Sequence, residues 1–169
     1  PYFNIDGQVF YILDDVPRAA SYNICNFTIP GERPLSLAMP APPLFAQNPA
    51  APAVRNFDGV VSTTVTVNRN LMDFYTNYPP CHWSVYAATA LTAPVCGQLY
   101  PPLRAAVAGK GEREAAELLL HYLHRAFPYK TDEAQFGIER TLFAEEMYYY
   151  PYSDCEDRSI LFARLVKDL

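Results

Sequence analysis

Ser153-Asp154-Cys155-Glu156-Asp157-Arg158 is the stretch whose residue types and spacing could do chemistry: one thiol among three carboxylates and a guanidinium, just before the apolar-rich run from Ile160 to Val166. Ser153 followed three residues later by Glu156 reads as a capping box. That makes Ser153 the N-cap and places Cys155 in the first turn of a helix reaching at least Lys167. Unpaired backbone N–H groups and the positive end of the helix dipole favour a thiolate there. They can lower a cysteine from about 8.5 to roughly 3.5–7.5. Asp154, Glu156 and Asp157 oppose that shift, while Arg158, three residues on, shares the face of Cys155. Asp154 and Arg158, four apart, are placed to satisfy each other. The sequence leaves the net direction open, and the plainest alternative makes Cys155 a small buried hydrophobe.

Two further segments lead into this stretch: Phe127-Pro128-Tyr129-Lys130-Thr131-Asp132-Glu133-Ala134-Gln135-Phe136-Gly137-Ile138-Glu139, and the aromatic turn Tyr148-Tyr149-Tyr150-Pro151-Tyr152. An aromatic turn, then Ser-Asp-Cys-Glu-Asp-Arg, then a Leu/Val/Ala helix resembles the nucleophile segment of the transglutaminase-like branch of the papain-like cysteine enzymes. Uncharacterised bacterial members are the nearest in kind. The resemblance covers about Glu112 to Leu169. It implies Cys155 as the nucleophile of a Cys–His–Asp constellation, forming a thioester on an amide or peptide substrate that water or an amine then resolves. Hydrolysis is the expected bacterial outcome. The backbone N–H of Cys155 would serve as an oxyanion donor, with Gln135, Tyr149 or Tyr150 as a side-chain donor and Asp154 and Arg158 in support. In that family the His and Asp follow the cysteine helix on strands. The chain stops inside or just after that helix, so the expectation is a fragment without its C-terminal sheet, inactive alone. The alternative is a non-catalytic binding or structural module of the same lineage.

The expected fold class is α+β: a β-rich region over 1–90, with a Pro-rich connection at 30–54, then the helical part of the domain over 91–169. Gly7–Leu13 and Ser21–Ile29 read as strands, and Val61–Val67 alternates between an apolar and a hydroxyl face. Asn68 or Asn70 is placed to cap a short helix ended by Tyr78-Pro79-Pro80. Trp83, Val85 and Ala87 alternate with Ser84, Tyr86 and Ala88 as in a strand, which would also hold His82. Thr92-Ala93-Pro94 signals a helix start, and Pro101-Pro102 an interruption. Glu112 to Phe127 is the strongest helix, with acids in its first turn. Leu142–Tyr149 reads as a short helix with Glu145 and Glu146 outward. Seven prolines from Pro30 to Pro52 make an extended strap or a partner-binding segment.

Composition narrows the function classes. The 169 residues carry a net charge of −5 without a basic run, which argues against nucleic acid or an anionic membrane surface as partner. No stretch approaches the roughly 18 apolar residues of a membrane span. Cys25, Cys81, Cys96 and Cys155 show no zinc spacing, although one disulfide among the first three is open. Glu117, His121 and His124 share a helix face, yet lack a fourth ligand nearby, so no metal or cofactor is expected. His121 and His124 are also the histidines nearest Cys155 in sequence. An opening Pro1 suggests that something preceded it, and tyrosine-rich, lysine-poor composition leans outside the cytoplasm. Leu161, Leu165 and Leu169, flanked by Ile160 and Val166, predict an apolar face that needs a missing segment or a partner chain to cover it.

Overall fold

A computed structural model describes residues 2–5, 8–11 and 36–169. The strand expected at Ser21–Ile29, together with Cys25, lies outside the described residues. At the start, β1 (Tyr2–Ile5) pairs antiparallel with β2 (Gln8–Tyr11), within the strand expected from Gly7. A second antiparallel hairpin joins β3 (Ala53–Phe57) to β4 (Val61–Val65), turning at Gly59, whose φ of 71° favours glycine. β4 buries Val61, Thr63 and Val65 and exposes Ser62 and Thr64, as its alternation predicts.

Six α-helices accompany the hairpins among the described residues, giving a mixed α+β fold. Asn68 caps α1 (Arg69–Thr76), its side chain accepting from the Asn70 N–H. Trp83–Ala88, expected as a strand, is instead α2, capped by His82, whose Nδ1 accepts from the Ser84 N–H. Adjacent Val85 and Tyr86 are both buried, which strand alternation forbids and a helix allows. Next, α3 (Ala93–Val107) starts after Thr92 as expected but runs through Pro101 and Pro102 without a break. Each proline removes a helix donor; burial of Leu99, Tyr100 and Leu103 outweighs that local cost. Then come α4 (Glu112–Ala126), α5 (Asp132–Phe136), a 3₁₀ turn at Glu146–Tyr148 and α6 (Cys155–Asp168).

One buried cluster runs from Val61 to Leu165, spanning positions on both sides of residue 90. β3 packs on α4, β4 on α3, and α6 lies against α2 and α4. Tyr122 and Tyr148 meet at its centre, their hydroxyls 3.1 Å apart, with Thr63 Oγ1 2.7 Å from Tyr122. Ile160, Leu161 and Leu165 are already buried by this chain, so the leucine face of α6 is largely covered. What α6 leaves exposed is Cys155, Ser159, Ala163, Val166 and Lys167. No described helix is long and apolar enough to cross a membrane.

Residues 36–52 form the strap that the prolines suggest, without helix or paired strand beyond a bridge at Pro49. It is tied down at both ends. Tyr78 donates to the Leu37 carbonyl and the Ala90 N–H to Pro40; Asn68 and Asn70 both donate to the Ala46 carbonyl.

Candidate functional site

The entrance to α6 is built one residue later than its sequence suggests. Asp154, not Ser153, is the N-cap: its carboxylate accepts from the Asp157 N–H, and Asp157 accepts in return from the Asp154 N–H, both at 3.3 Å. The reciprocal pairing is a capping box with two aspartates in place of Ser and Glu. Ser153 is buried and accepts from Arg158 Nε, while its backbone bridges to Tyr129 and Lys130. Arg158 therefore does not pair with Asp154. Its guanidinium donates to the Phe127 carbonyl at 2.6 Å and covers the Tyr129 ring.

Cys155 is the first residue of α6 and is exposed, so it is not a buried hydrophobe. Its thiol donates to Glu156 at 3.3 Å. That bond, with slight burial and the charges of Glu156 and Asp154, pushes the thiol above its ordinary value despite the helix terminus. The direction left open by the sequence is thereby set by the carboxylates.

These carboxylates form a larger group. One oxygen from each of Asp132, Glu139, Asp154 and Glu156 lies within 4.8 Å of the others, drawn from α5, the loop after it and α6. Hard divalent cations take such all-oxygen sets, but the group also has an internal explanation. Asp132 accepts from the Arg140 N–H at 2.8 Å and Asp154 caps α6. Glu139 is raised chiefly by its bond with Glu156. Burial would raise Glu156, but bonds from Glu139, Cys155 and Asp154 pull it below the ordinary range. Burial raises both Asp132 and Asp154. Asp157, fully buried, is pushed up to about 7 by desolvation, against the N–H bonds it accepts from Leu142 and Asp154.

The proposed supporting residues are not gathered on the sulfur. Gln135 Nε2 donates to the Tyr152 carbonyl, and its Oε1 is buried without a partner. Tyr150 bonds Thr76 and stacks edge-on with Phe136 and Tyr149. Tyr149 is 39% exposed. None of the three is hydrogen-bonded to Cys155. The histidines are elsewhere too: His82 bonds Ser84, His121 packs on Phe57, and His124 faces solvent. Glu117 pairs with Arg113, leaving the Glu117/His121/His124 face solvated. Cys81 and Cys96 are not bonded to each other.

Glu145 and Glu146, expected outward, are 2% and 0% exposed. Glu145 accepts from the N–H and hydroxyl of Thr92, capping α3 from a distance. Glu146 accepts from the Phe143 N–H and pairs with Arg140; burial nonetheless outweighs both and raises it to about 7. Charge at these positions had to be buried because backbone donors are buried around it. No local pattern signals that. Against protein-family models, curated proteins and solved structures, the chain finds no match.

Two outcomes follow from this geometry. Asp154→Ala should lower stability by about 1–2 kcal/mol in chemical denaturation, whereas Asp154→Asn, which keeps a capping acceptor, should cost much less. An equal loss for both would contradict the cap. Asp157 holds a folded value of about 7, above its unfolded value. Its contribution is therefore complete at low pH and lost as pH rises through about 7. Unfolding free energy should fall by roughly 1–3 kcal/mol between pH 5 and pH 8, and fall less in Asp157→Asn. A flat or rising profile in the native chain would contradict this assignment.

Proposed function

We propose that Cys155 is the attacking thiol of a transglutaminase-like acyl-transfer site acting on amide or peptide carbonyls, with its general base supplied from outside the 169 residues. The observation that carries this reading is the sulfur's position. Cys155 is solvent-exposed at the first position of a 14-residue helix whose opening turn is fixed by the Asp154–Asp157 box and by Arg158 on Phe127. Attack by this sulfur on the carbonyl carbon would form a C–S bond as the C=O π pair moves onto oxygen, where a backbone N–H of the helix terminus can meet it. Collapse would break the C–N bond and release the amine, protonated by the base that took the thiol proton.

The surrounding carboxylates are compatible with this role once a base is present. A negative potential disfavours a lone thiolate but favours an imidazolium by a similar amount. Transferring the proton from sulfur to an adjacent imidazole separates charge without adding any, so the two effects largely cancel. The same potential would discriminate against reaction of the bare thiol. One observation favours the second reading, a non-catalytic binding or structural module: Cys155 donates to Glu156, and no histidine among the described residues is hydrogen-bonded to it.

The test is turnover of glutamine-containing peptides, followed by ammonia release and by mass spectrometry of an acyl adduct on Cys155. It should be run on residues 1–169 and on the chain with any sequence that follows Leu169 in its reading frame. The shorter chain should be inactive and the longer one active, with Cys155→Ala abolishing activity. General-base help is worth about 10²–10⁴-fold, so the contrast should be large. Cys155-dependent turnover by residues 1–169 would overturn the outside base; no turnover and no adduct in either would favour the binding module.

A further inference from the structure

Beneath the proline strap lies a cavity of about 310 Å³ whose lining does not include Cys155. Pro42, Pro43 and Phe45 wall one side, and Leu71 and Leu91 face them. Proline suits such a wall because it has no N–H to leave unsatisfied against an apolar space. Into this lining comes one carboxylate, that of Glu145.

Glu145 is 2% exposed, and no lysine, arginine or histidine among the described residues pairs with it; the neighbouring Glu146 is the one that holds Arg140. Buried carboxylates are rarely left without a cation. Its two bonds both come from Thr92, one to each oxygen, at 2.9 Å. A carboxylate offers about four acceptor positions, so each oxygen keeps one free. The first turn of α3 supplies the remaining compensation, a fraction of a unit charge. Tyr75, which feels the charges of both Glu145 and Glu146, adds no positive charge.

We infer that this cavity binds a small organic ammonium with an apolar body, its N–H donors on Glu145 and its body between the proline strap and Leu71 and Leu91. A bare metal ion is a poor occupant, since hard cations want six or more oxygens and the cavity has a single carboxylate. An anion would meet Glu145 directly. At 310 Å³ the space holds about ten waters' worth of volume, which fits a compact monoamine rather than a peptide.

The probe is 2-phenylethylammonium at pH 7, titrated by calorimetry and followed by amide NMR, with 2-phenylethanol and 3-phenylpropionate as uncharged and anionic controls. The ammonium should bind saturably, roughly tenfold or more tighter than the alcohol, and shift amides at Leu91 and Thr92; the propionate should not bind. Glu145→Gln should reduce the ammonium to the level of the alcohol. Ala90→Phe, which fills the cavity and keeps the backbone bond from Ala90 to Pro40, should abolish both. The second variant decides if Glu145→Gln fails to fold. No binding of the ammonium, equal or tighter binding of either control, or ammonium affinity unchanged in a folded variant would overturn the inference.

Discussion

The stretch from Leu142 to Tyr148 is buried at every residue yet holds only one 3₁₀ turn, and the rest of the structure depends on how its backbone is satisfied. Irregular backbone in a core must find partners for every N–H and C=O. Here the donors go to carboxylates: Leu142 N–H to Asp157, Phe143 N–H to Glu146, and, just before the stretch, Arg140 N–H to Asp132. One of its carbonyls, that of Met147, is met by Arg55, which also donates to the Tyr150 carbonyl just beyond the stretch and lies over the Phe127 ring. With that backbone satisfied, Phe143 can stack on Tyr75 at 4.2 Å and Tyr148 can reach Tyr122. The loop thus acts as the centre of the core, with helices packed around it.

This arrangement sets the electrostatics at the start of α6. Asp157 belongs to both systems, fixing Leu142 with one oxygen and the cap of α6 with the other. Asp132 brings α5 towards the same place. Asp132 and Asp154, recruited to hold backbone, converge beside Cys155 with Glu139 and Glu156, and there Glu156, with Asp154 behind it, outweighs the helix terminus in setting the thiol's protonation. Structural demand and site chemistry meet at Asp154, and the thiol is accessible and fixed in position while the carboxylates beside it oppose its ionisation.

Much of this was legible in the sequence where signals are local. The glycines before Glu112 and the acids of the first turn located α4, strict alternation located β4, and a cap followed by an apolar run located α6 to within one residue. The one-residue slip arose because Ser153 and Asp154 are both good caps and the partner three residues on differs only as Glu156 or Asp157. At Trp83–Ala88 six residues are too few to separate a period of 2 from one of 3.6. Pro101 and Pro102 read as a break because propensity ignores the core that holds Leu99 and Leu103. Glu145 and Glu146 were hidden for a different reason. Their partners, Thr92 and Arg140 among them, are set by tertiary contact, and charge in sequence looks like exposure. The meeting of Asp132 and Glu139 with Asp154 and Glu156 was likewise invisible before folding.

The central claim is that carboxylates, Glu156 foremost, control an exposed thiol at the first position of α6. Its most direct test is the pH dependence of Cys155 alkylation by iodoacetamide on the 169-residue chain, read at the Cys155 peptide by mass spectrometry. The rate should rise with an inflection above the ordinary thiol value of about 8.5, and Glu156→Gln should move that inflection downward and speed the reaction at neutral pH. An inflection below the ordinary value, unchanged by Glu156→Gln, would show that the helix terminus prevails and would contradict the account.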